Sequence, residues 1–228
     1  MNRDSAVWMA SARVVLTVCT PLLLLLSNLY LVASPAYIHY EYNKPGFPPA
    51  GLYDDAERLS LAEATLHYTR SNENAAYLEN LQSQGRAIYN AREVRHLVDA
   101  KRVMRAAFWV HGICAVLCLL AAAFSWRHPG QRAGALRAIF TGCLILFVSL
   151  ASIGILAYTN FNLFFTTFHR LFFEGDSWLF LFTDTLIQLF PVPFWMDATY
   201  ILALLTLGEC LIAGTAAYAL SRHLKGAQ

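Results

Sequence analysis

The sequence predicts an all-α membrane protein, with four transmembrane helices and an extracytoplasmic cap that is mainly helical and includes a short β element. Three observations carry that expectation. The 228 residues are 57% hydrophobic and only 14% charged, a balance outside that of ordinary soluble domains. Asp, Glu, Lys and Arg are missing from Val14 to Tyr40, from Ala106 to Trp126 and from Ala138 to His169, and each run is long enough for the roughly 20 residues a helix needs to cross hydrocarbon. A fourth apolar run, Ala198 to Ser221, holds Glu209 as its one charged residue. We therefore expect a single membrane domain over residues 1–228, with spans near 14–38, 106–126, 138–168 and 198–221. Extracytoplasmic segments at 41–105 and 170–197 complete it.

The first span follows Arg13 and is Leu-rich, as a secretory signal would be. It is longer than a signal's apolar region and no small-residue cleavage site follows, so it reads as a retained helix. Orientation follows from the basic residues of the short segments: Arg3 and Arg13 before the first span, Arg127, Arg132 and Arg137 between the second and third, Arg222 and Lys225 at the end. They put both termini in the cytoplasm. All five cysteines fall inside predicted spans, which leaves the outer segments without a disulfide framework. Cys114 and Cys118 lack CxxC spacing and read as packing residues. The net formal charge of +2 says little about a soluble partner, and no nucleic acid is expected.

In the long outer segment, Lys44-Pro45-Gly46-Phe47-Pro48-Pro49 is a breaker cluster that should end the first helix. From Asp54 to Arg70 the spacing of Leu59, Ala62, Glu63 and Leu66 predicts an amphipathic helix. A turn at residues 71–74, a short helix through Leu81 and a brief strand at Ala87-Ile88-Tyr89 follow. Asn90-x-x-Glu93 reads as a capping box, opening a helix that runs without a break into the second span. Arg92, His96 and Asp99 then share one face, so Asp99 is expected to orient His96 or raise its pKa. The segment after the third span is too apolar for a solvated loop, and aromatic residues crowd from Tyr158 to Tyr200 more densely than an anchoring belt needs. A cap sheltering something oily is the expectation.

Two sets of residues, Asn90-Ala-Arg-Glu93-Val-Arg-His96-Leu-Val-Asp99-Ala-Lys101 and Phe168-His169-Arg-Leu-Phe172-Phe173 with Trp178, Asp184 and Pro191, resemble the lipoprotein intramolecular transacylases of bacteria. The four-span layout resembles theirs as well. The resemblance implies a multi-pass protein of the bacterial plasma membrane with its site at the extracytoplasmic face. It implies a reaction in which the sn-2 acyl chain of an S-diacylglyceryl cysteine moves to the α-amino group of the same cysteine, giving a lyso-form lipoprotein. Its substrates would be diacylglyceryl-modified lipoproteins after signal-peptide removal, with membrane lipid around them. His96 and His169 would be the catalytic pair, without cofactor or metal; the oligomeric state is open, and a monomer is compatible.

The chemistry is independently reasonable. An amine attacking an ester must lose a proton, and the departing glycerol oxygen must gain one. Histidine, with an unperturbed pKa of about 6.5, can do both. Because nucleophile and ester belong to one molecule, no acyl-enzyme is required, and the sequence has neither a Gly-x-Ser-x-Gly elbow nor a cysteine near either histidine motif. His96 and His169 are expected as a general acid/base pair with the direction of each proton open. Arg92, Arg95 or Arg170 could meet the ester carbonyl or the oxyanion, and Asp99, Asp176, Trp178 and Asp184 complete the supporting set, although Trp178 also reads as an interfacial anchor.

His39, His67 and His111 read as ordinary structural histidines. Glu209 marks either a functional group within the bilayer or a protonated carboxyl bonded to a neighbouring helix through Asn28, Ser149 or Ser152. Two other functions stay open from the sequence: a metal-dependent membrane hydrolase, disfavoured by the lack of an HExxH-type element, and a non-enzymatic membrane protein that binds a partner through its outer segments. A transporter is weaker, since there is no internal repeat.

Overall fold

The structure, a computed structural model, describes residues 3–226, and the chain divides into two compact units. The first unit takes residues 1–29, 108–155 and 201–228, as far as they are described. It is built from the apolar lengths of helices α1 (Arg3–Val32), α5 (Ala91–Arg127), α6 (Pro129–Thr159) and α9 (Val192–Gly226), each long and apolar enough to cross a membrane. Within α5 only the charge-free stretch from Ala106 to Trp126 suits hydrocarbon, and the residues before it are rich in Arg, Lys, Glu and Asp.

Helix contact in apolar surroundings depends on close backbone approach. Pro21, inside α1, has no N–H to bond the Thr17 carbonyl. That oxygen faces Gly142 of α6, where an added Cβ would lie 2.6 Å from it. Gly214 of α9 similarly meets Cys143, 3.2 Å from where its Cβ would be. Ala12, Leu16, Ala121, Ala135 and Ala138 form one buried cluster; Cys143, Leu146, Leu150 and Cys210 form another. All five cysteines are free. Asn28 donates its Nδ2 to Glu209 at 2.9 Å and to Thr206 at 3.1 Å, so of the partners expected for Glu209, Asn28 is the one that bonds it. Ser152 instead bonds the Val148 carbonyl of its own helix.

The second unit takes residues 30–107 and 156–200. Here the expected first helix end needs correction. α1 stops at Val32, and a separate helix α2 (Pro35–Tyr42) begins before the Lys44 breaker cluster. Ser34 caps it, accepting from the Tyr37 amide, and Pro35 occupies its first turn, where a missing N–H costs nothing. Helix α3 (Asp55–Arg70) is capped by Asp54, which accepts from Glu57 at 2.8 Å. Its buried face is Arg58, Leu61, Ala62, Thr65, Tyr68 and Thr69, rotated from the Leu59–Leu66 stripe expected. After the short helix α4 (Ala75–Glu79), strands β1 (Gln82–Ser83) and β2 (Arg86–Ala87) pair antiparallel. The strand thus falls earlier than Ala87–Tyr89, because Gln84 and Gly85, at φ 51° and 75°, make a two-residue turn of the primed type that joins hairpin strands.

The expected span over 138–168 is likewise two helices. α6 ends at Thr159 and α7 (Phe161–Phe172) begins after Asn160, whose side chain accepts from Leu163 N at 3.0 Å. Helix α8 (Thr185–Leu189) follows. The unit has its own core: Leu61, Tyr68, Leu78, Ile88, Tyr89, Val94, Leu97, Leu186 and Leu189. Thr185 Oγ1 donates to the Ile88 carbonyl at 2.7 Å, which joins α8 to the segment leading into α5.

Candidate active site

The start of α5 is fixed before the first histidine appears on it. Asn90 Oδ1 accepts from the amides of Arg92 and Glu93 at 3.0 and 3.1 Å, and Glu93 returns the bond by accepting from Asn90 N at 2.9 Å. This is the capping box expected from the sequence. The other Glu93 oxygen accepts from Leu186 N at 2.8 Å, so the box also holds α8. Glu93 is buried, and burial pushes its carboxyl pKa up despite those bonds. Asp184 makes a second brace, accepting from Asn90 Nδ2 at 3.0 Å, Arg92 Nη2 at 2.8 Å and Leu181 N at 2.7 Å. Arg92 is thereby aimed across the Phe180 ring, 5.7 Å from its centroid.

One turn along α5, His96 meets His169 of α7. Their ring centroids lie 6.0 Å apart with planes within 20°. His169 is buried, and its Nδ1 sits 2.8 Å from the Phe165 carbonyl. A carbonyl can only accept, so in the neutral ring Nδ1 carries the proton and Nε2 keeps its lone pair. His96 Nδ1 is buried without a hydrogen-bond partner. Aromatic rings enclose both imidazoles: Phe173 at 4.8 Å from His96 and 5.3 Å from His169, Phe180 edge-on to His96 at 5.3 Å, and Phe165 and Trp178 at 4.0 and 5.0 Å from His169. Burial, and then the neighbouring His169, push His96 down to about 4. Burial also lowers His169, against the opposing effect of its bond to Phe165. Both rings are therefore neutral near pH 7.

The structure gathers the remaining expected residues unevenly. Arg92, Arg95, Asp99 and Asp176 line one open groove of about 440 Å³ together with Glu174 and Ser177. Trp178 packs on His169 and donates its Nε1 to the Gly175 carbonyl at 3.1 Å, so it is part of the enclosure. Arg170 is exposed at the end of α7. The expectation for Asp99 fails: it accepts from Arg102 Nη1 at 2.7 Å, and no carboxylate raises the His96 pKa, because an i,i+3 partner on the same helix holds it. Sequence reasoning also missed Phe165 and Phe180 as walls of the pair, as well as Asn160 as the residue that starts α7; only the crowding of aromatics hinted at the first two. Among the described residues, no three His, Cys, Asp or Glu side chains come together as a metal site would require.

The family model for the lipoprotein intramolecular transacylase Lit matches residues 14–195. The chain belongs to that family. An uncharacterised protein of Aquifex aeolicus (strain VF5) is 29% identical over 195 residues, covering 84% of this chain and 86% of the relative. Among solved structures, the membrane-integral lipoprotein intramolecular transacylase Lit of Bacillus cereus is similar with a TM-score of 0.64 at 19% identity, over 96% of each chain. A variant of that protein with a histidine replaced by alanine is similar with a TM-score of 0.71 at 15% identity, over 98% of this chain and 96% of the other. Those similarities establish the fold: a multi-pass membrane protein of the transacylase family.

Proposed function

We propose that this transacylase moves the sn-2 acyl chain of a lipoprotein's S-diacylglyceryl cysteine onto that cysteine's own α-amino nitrogen, with His169 as proton shuttle and His96 as a neutral donor. The observation that carries the reading is the enclosed pair itself, in which the Phe165 carbonyl commits one nitrogen of His169 and leaves Nε2 as acceptor. The free amine attacks the ester carbonyl and passes one proton to His169 Nε2. The tetrahedral centre collapses, the bond from carbonyl carbon to glycerol oxygen breaks, and His169 returns the proton to that oxygen. The products are an amide and a free glycerol hydroxyl, so proton and acyl chain are both accounted for.

His96, kept neutral by burial, can donate from Nε2 to the developing oxyanion without itself changing charge, the role a lowered pKa suits. Holding amine and ester in one molecule supplies the proximity that would otherwise require a covalent enzyme intermediate. No cofactor or metal enters these steps. The basic residues Arg127, Arg132, Arg137, Arg222 and Lys225 support cytoplasmic termini and an active site on the extracytoplasmic side, reached by substrate from the bilayer.

Mass spectrometry of a reporter lipoprotein's N-terminal peptide, from cells making the wild-type chain or its His96→Ala or His169→Ala form at matched membrane abundance, tests the proposal. One acyl chain on the amine with the total unchanged, lost by about a hundredfold or more in each variant, is expected. An unaltered diacylglyceryl N-terminus with the wild-type protein present overturns it.

A further inference from the structure

The groove has two walls, one from the stretch of α5 that carries His96 and one from the segment between Phe173 and Trp178, whose rings pack on His169. Arg92, Arg95 and Asp99 flank His96 on α5; Glu174, Asp176 and Ser177 come immediately before Trp178, which packs on His169. Its charged lining disfavours acyl chains, since burying charged groups against hydrocarbon is costly. Two of its charges are already matched, Arg92 by Asp184 and Asp99 by Arg102. Of the rest, Arg95, Glu174 and Asp176 make no ion pair among the described residues. The unmatched charge in the groove is thus two carboxylates against one guanidinium.

We infer that this groove seats the polypeptide immediately after the lipidated cysteine, an assignment that rests on the acyl-transfer reading above, and that it prefers basic over acidic residues there. A peptide backbone needs both donors and acceptors along its path, and the groove offers both. Arg95 faces peptide carbonyls; Glu174 and Asp176 attract a basic side chain and repel an acidic one. Because the groove is open, each charge contact is worth little alone, and the two carboxylates together set the discrimination.

The test uses purified full-length protein in detergent micelles and three synthetic S-diacylglyceryl-cysteinyl peptides with a free α-amine, followed by two lysines, two glycines or two aspartates. Affinity and N-acyl product are measured separately. The wild type should bind the lysine peptide about tenfold more tightly than the aspartate peptide, with kcat/KM in the same order. In Glu174→Gln/Asp176→Asn the ratio should fall to within about twofold, and in Arg95→Gln it should widen; the second variant serves if the first fails to fold. Equal affinity of the wild type for the lysine and aspartate peptides, or a preference that survives in the double variant, overturns the assignment. Charge-dependent binding without N-acyl product would sink the acyl-transfer reading and leave the groove standing, whereas N-acyl product without charge preference would do the reverse.

Discussion

Phe165 decides what His169 can do, because its carbonyl occupies Nδ1 and turns the opposite nitrogen into the acceptor. Burial then fixes the pH range over which both rings stay neutral. Both histidines have folded pKa values below their unfolded one, so the stability gained by keeping them neutral is complete above about pH 6.5. It is lost as pH falls from there, for His96 toward about 4. Thermal unfolding in micelles should therefore show a melting temperature that drops between pH 6.5 and 4, with a shallower drop in His96→Gln. Transfer should rise through the ionisation of the substrate amine near pH 8 and show no inflection at 6.5; a histidine-like inflection there, in a pH–rate profile of the purified protein, would contradict the neutral pair. The histidines were legible in the sequence as motifs beside apolar runs. The partner of His96 was not, because helical spacing tells which residues share a face but not which of two neighbours a carboxylate will choose, and Asp99 chose Arg102.

Elements position these rings through their ends. The capping box at Asn90 could be read directly, since its residue types and spacing define the motif, and Glu93 turns out to serve α8 as well. Glu93→Ala should cost about 3 kcal/mol from two hydrogen bonds to a buried carboxyl, and chemical denaturation would show it. The breaks at Ser34 and Asn160 are hidden in the sequence because neither residue is charged, and absence of charge is the signal that delimits a span. Both residues act as caps, accepting a backbone N–H of the following helix. Asn160→Ala should lower stability by about 1 kcal/mol and reduce transfer, because α7 carries His169, whereas Asn160→Asp should retain both. Loss of neither property in the alanine variant would show that the cap does not hold the helix.

At the scale of the whole molecule, the four crossing helices were legible because charge is expensive in hydrocarbon and its absence marks length reliably. The division into two units was not, since α1, α5, α6 and α9 each contribute residues to both, and a continuous helix gives no signal where one unit's packing ends. Nor could the sequence tell which glycines matter. Gly142→Val should cost about 1–3 kcal/mol by overpacking, because its Cβ would meet the Thr17 carbonyl, a backbone atom that cannot swing away, whereas Gly154→Ala opens onto free space and should be silent; melting temperatures of the two variants in micelles would show the contrast. On the acyl-transfer reading proposed above, the rings packed around His96 and His169 bear on chemical fidelity. An ester poised for attack is equally open to water, and a water that won would spill a fatty acid and leave the lipoprotein one chain short. Phe173, against both imidazoles, occupies space that such a competitor would need. Phe173→Ala should accordingly leak free fatty acid in proportion to the N-acyl product it fails to make, turning a transferase part-way into a lipase.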